Sequence, residues 1–195
     1  MTRSTPFLLG TAFVFAAIVS FLVETPAPAL AHGIIDQQQT AFIPGATTCG
    51  VNPPFGQSFT PTANNIVAFD VNITAGPQTA NFTIRQAPFT TDLIPPFPVS
   101  LVSGINHIDI PGAPLPLTPG AKYGWLTFSD CATGLGFGIS PTDVYAGGAL
   151  LAVPLFTPGV PPVESPVDGD LYFKTYSRHP RRRTSANLSR ARPFS

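Results

Sequence analysis

Proline and glycine recur so often, 24 and 17 times in 195 residues, that no long helix can be written after the first two dozen positions. Proline removes a backbone donor and glycine adds chain entropy, so each interrupts an i to i−4 ladder. What remains between the interruptions is short and apolar, and it reads as strands joined by turns. At 44% apolar with 16 Phe, the chain has enough to bury a core, so the proline content does not signal general disorder. The fold class expected is all-β: a single antiparallel β-sandwich, jelly-roll-like, spanning residues 32–176.

The best strand signal is Asn65 to Thr74, where Val67, Phe69, Val71 and Ile73 alternate with Ala68, Asp70 and Asn72. Asn81 to Gln86 repeats the device with Phe82 and Ile84 inward, and the turn-forming Thr74-Ala75-Gly76-Pro77 between them predicts a hairpin. Further strands are expected at Val99–Val102, Ile105–Ile110, Lys122–Ser129, Gly136–Ile139, Ala149–Phe156 and Asp170–Tyr176.

The N-terminus has a different character. Arg3 precedes Phe7 to Val23, a stretch without charge, and Pro26 and Pro28 break it before Ala29-Leu30-Ala31. That order reads as a signal peptide over residues 1–31, cleaved to leave His32 first, and it predicts a secreted or cell-surface protein. The rival reading is an uncleaved anchor, the only route by which a membrane enters. Export agrees with cysteine usage: Cys49 and Cys131 are the only two, and outside the cytosol such a pair is expected to be a disulfide. Closing a loop of about 80 residues would remove roughly 4 to 5 kcal/mol of unfolded-state entropy.

A formal net charge of zero conceals a strong asymmetry. Between His32 and Tyr176 nine acids face three bases, which leaves −6, whereas from Ser177 onward six arginines stand with no acid. Residues 177–195 are expected to form a disordered Arg-rich tail. No nucleic-acid-binding motif accompanies it, so no specific nucleic-acid partner is expected, and the domain is expected to be a monomer.

Several short motifs occur in order: Gln57-Ser58-Phe59-Thr60-Pro61-Thr62, Leu117-Thr118-Pro119-Gly120 before Tyr123, Asp143-Val144-Tyr145-Ala146-Gly147-Gly148, and Gly169-Asp170-Leu171-Tyr172-Phe173-Lys174-Thr175-Tyr176. The sequence over residues 36 to 176 resembles a secreted bacterial and archaeal β-sandwich surface module. The resemblance implies a carbohydrate-binding or adhesive sandwich of undefined ligand. Val144 stands where that pattern has proline, and the basic tail follows its closing strand.

Candidate sites follow from the residue types. A sugar stacks its C–H face on an exposed ring, so Tyr123 and Trp125, sharing one strand face, form a possible platform if Leu126 and Phe128 are core; the alternative is that Trp125 is itself core. Tyr145, with Asp143, is a second possible contact. Asp168 and Asp170 around Gly169, with Asp143, have the chemistry of a calcium site, although a solvated loop explains them equally. A free His32 amine and imidazole with His107 would form a copper-binding histidine brace, the basis of an alternative reading as a copper-dependent polysaccharide monooxygenase. No hydrolase, nucleotide or zinc-protease motif is present. The expectation is a noncatalytic module without an obligatory cofactor, directed at an extracellular glycan or cell-wall polymer. A structural envelope component without a small ligand is the remaining alternative.

Overall fold

The computed structural model describes residues 33–43, 47–48, 54–128, 135–153, 160–165 and 169–178. The leader, His32, Cys49, Cys131, Asp168 and the tail beyond Arg178 lie outside the described residues, and so do the cleavage and disulfide expected there. The described chain contains no helix and fifteen strands: β1 (Ile34–Gln39), β2 (Thr47–Thr48), β3 (Phe55–Phe59), β4 (Asn65–Ile66), β5 (Ala68–Ile73), β6 (Gln78–Gln86), β7 (Phe97–Leu101), β8 (Gly104–Asp109), β9 (Leu115–Pro116), β10 (Tyr123–Thr127), β11 (Phe137–Ser140), β12 (Leu150–Ala152), β13 (Val163–Ser165), β14 (Asp170–Leu171) and β15 (Phe173–Ser177).

All pairings are antiparallel, and they build two main sheets that enclose one core as a β-sandwich. In the seven-stranded sheet β5 pairs with β8 along one side and with β15 and then β11 along the other. β1 flanks β15, and β11 also carries β2 and β14. The six-stranded sheet runs β13-β12-β3-β10-β6-β7, and β4 with β9 forms a separate short ribbon.

The period-2 pattern decides which side chains meet inside. Phe69, Val71 and Ile73 of β5 face Phe82 and Ile84 of β6, and Trp125 of β10 lies among them with no exposed surface. Phe69 stacks on Trp125 at 5.9 Å and meets Phe82 at 5.7 Å, while Phe137 approaches Trp125 at 5.8 Å. Each such pair adds roughly 0.5–1.5 kcal/mol to the burial of its rings. The expected hairpin between residues 65–74 and 81–86 is corrected here: β5 and β6 belong to different sheets, and their apolar sides face each other across the core. Two apolar faces that would compete for one side of a single sheet instead fill both halves of a sandwich.

The outward faces of the two sheets differ. On the six-stranded sheet, Phe89, Leu126 and Leu151 form a second buried apolar cluster. Gly124 makes it possible, since a Cβ there would lie 2.3 Å from Leu151 Cδ1. The Arg85–Asp92 ion pair at 2.6 Å, with Arg85 Nη1 donating to the Phe89 carbonyl, holds the covering segment down.

Candidate functional site

Two buried carboxylates organise the polar chemistry of the described residues, and they sit in different places. Asp170, at the start of β14, has no exposed surface. Its Oδ2 accepts from the backbone amides of Val144 at 2.7 Å and Tyr145 at 2.8 Å, and its Oδ1 accepts from Gln57 Nε2 at 2.8 Å. Gln57 in turn accepts from the Leu171 amide. Burial pushes the Asp170 carboxyl above its ordinary value, opposed by these donors.

The surrounding residues extend the same junction. Tyr145 Oη donates to Gln37 Oε1 at 2.9 Å and lies 3.4 Å from the Thr60 amide, and its ring packs edge-on against Phe173 at 5.1 Å. Burial, ahead of the acids Asp36 and Asp170, raises its phenol. Ser58 Oγ accepts from the Ala149 amide, and Tyr123 Oη accepts from the Thr118 amide at 2.9 Å, tying the turn before β10 back onto that strand. The four sequence motifs are therefore mutual anchors, each satisfying buried backbone donors of another segment or of its own turn.

This arrangement revises three expectations. Tyr123 and Trp125 are 3% and 0% exposed, so neither ring offers a face to a sugar; the strand turns that side inward because the opposite side is filled by Leu126 and Gly124 under Phe89 and Leu151. Asp170 directs its carboxylate at the chain's own amides and not at solvent, while Asp143 is exposed, so the two do not converge as calcium ligands. Tyr145 is only partly exposed, and its hydroxyl is engaged on both sides. No group of three His, Cys, Asp or Glu side chains among the described residues is placed to hold a metal ion.

The second carboxylate, Asp70 of β5, points to the outward face of the seven-stranded sheet. Its Oδ1 meets His107 Nδ1 at 2.7 Å, and its Oδ2 accepts from Tyr176 Oη at 2.6 Å. The His107 and Tyr176 rings meet edge to face at 5.1 Å, and Asp109 lies 3.6 Å from His107 Nε2. Burial and the bond to Asp70 both push the Tyr176 phenol far above its ordinary value. His107, named above for a copper brace, is thus oriented by Asp70, and its proposed partner His32 is outside the described residues.

The registers lay these groups out in two adjacent rows. One runs Gln38, Lys174, Asp70, His107 across β1, β15, β5 and β8; the next runs Ile35, Tyr176, Ala68, Asp109. The His107 side chain is 28% exposed and that of Asp109 65%, so the ladder is open to solvent where the other outward face is sealed by apolar residues. Sequence reasoning did not single out Asp70, Asp109, Lys174 or Tyr176. The available signal was the outward half of the β5 alternation, which places Asp70 between Ala68 and Asn72. No family model, curated protein or solved structure matches this chain.

Proposed function

We propose that the protein is an exported, noncatalytic β-sandwich module that binds carbohydrate at the cell surface. The ligand face would be the outward side of the seven-stranded sheet around Asp70, His107, Tyr176 and Lys174. One observation carries this reading: a solvent-open ladder that combines an aromatic ring with fixed acceptors and a cation, on the one outward face without an apolar cover. Sugars are held by such pairings of a flat ring with pre-oriented hydrogen-bonding groups. The leader pattern supports export, and the absence of any recognisable nucleophile or nucleotide motif in the sequence supports a binding role over a hydrolytic one.

The test is a glycan array probed with the mature protein and with Tyr176→Ala. Binding that is lost in the variant while the folded signal persists supports the reading; binding unaffected by Tyr176→Ala sinks it. A second reading, a structural envelope component, is favoured by the way the motif segments bond to one another and leave none of their polar groups aimed at a ligand. Silence on the array, together with self-association in solution, would favour it.

A further inference from the structure

The charge asymmetry of the chain has a geometric counterpart at the end of β15. Among the described residues each of the three cations before the tail faces an acid: Arg85 pairs with Asp92, Lys122 with Glu164 at 2.8 Å, and Lys174 stands in register with Asp70. Asp36, Asp109, Asp143 and the buried Asp170 have no lysine or arginine within ion-pairing distance among those residues.

Two of the four flank the point where the basic segment leaves the fold. Asp109 closes the Tyr176 row on the β8 side, and Asp36 follows Ile35 at its β1 end. Asp36 accepts from the amides of Thr62 and Ala63, which orient its carboxylate without cancelling its charge. The whole row is about 14 Å wide, three strand spacings. Arg178 stands two residues beyond Tyr176, its backbone held by both side-chain atoms of Asn65, so the chain leaves from the middle of the row. Arg181, Arg182 and Arg183 follow three to five residues later, a reach of about 10–17 Å, enough for either carboxylate.

We infer that the Arg181–Arg183 run folds back on its own domain and covers the Tyr176 row, with guanidinium groups on Asp109 and Asp36. A guanidinium suits this surface because its planar fork matches a carboxylate and its face stacks on a phenol ring. The arginine run is the occupant because it is tethered beside the row, which gives it a high effective concentration there. The inference holds whether or not a glycan also binds this face.

The experiment is limited trypsin digestion of the mature chain, read by intact mass, in about 10 mM and about 1 M salt, where the screening length falls from about 30 Å to about 3 Å. Two variants accompany it: the double change Asp36→Asn with Asp109→Asn, and Asp109→Asn alone, which alters only an exposed side chain and leaves the Asp36 bonds intact. At low salt, cleavage after Arg181 to Arg183 is expected about fivefold slower in the wild type than in the double variant, with the single variant between them. At high salt the three should be cut at the same rate. Equal rates at both salts would overturn the inference, and so would protection that grows with protein concentration, which would make a second copy the occupant.

Discussion

Asp70 and Asp170 are both carboxylates with almost no exposed surface, 5% and 0%, yet they do opposite things. Asp170 takes its donors from the backbone of Val144 and Tyr145 and from the buried Gln57, so it closes a loop onto a strand. Asp70 takes its donors from the side chains of Tyr176 and His107, so it fixes two functional groups on a sheet surface. Burial alone therefore does not separate a structural carboxylate from one that arranges a surface; the identity of the donors does.

The contrast is open to attack by mutation. Asp170→Ala strips an acceptor from two amides and an amide side chain at once, and urea unfolding should show a loss of about 4 kcal/mol. A loss under about 1 kcal/mol would remove the distinction. Asp70→Asn, by the same measurement, should cost about 1–2 kcal/mol, because its partners lie at a surface that water reaches. Tyr145→Phe, which breaks the link to Gln37, should cost about 1 kcal/mol, and His107→Ala about 0.5 kcal/mol.

The acid limb sharpens the comparison further. Burial holds the Asp170 carboxyl above its ordinary value. A carboxyl that holds its proton more tightly in the folded state contributes stability below its unfolded value and loses that contribution as pH rises through the folded one. Wild type should therefore gain stability relative to Asp170→Asn as pH is lowered from about 6 to about 3, followed by unfolding at each pH. A gap that widens in the other direction would mean that the amide donors outweigh burial.

The strands themselves were legible because alternation survives in short windows. Phe69, Val71 and Ile73, Phe82 and Ile84 all face the core as their spacing requires. Sheet membership was not legible: nothing in Thr74-Ala75-Gly76-Pro77 distinguishes a tight hairpin from a step between sheets. Strand β3 escaped notice because Phe55-Gly56-Gln57-Ser58-Phe59 places buried Gln57 and Ser58 in its middle, and these are buried only because Asp170 and Ala149 satisfy them from far along the chain. Trp125 had two permitted orientations, and the choice was made by Leu126 packing with Phe89 and Leu151, a long-range fact. The Asp70 ladder likewise needs β8 and β15 on either side of β5, and it cannot be read from any one segment.

The most direct measurement is a chemical-shift titration of the isotopically labelled protein with polysaccharide extracted from the host envelope. The account predicts perturbations concentrated on Asp70, His107, Lys174 and Tyr176, with the amides of Val144 and Tyr145 unmoved. Perturbations centred on residues 143–148, or none at saturating polysaccharide, would contradict it.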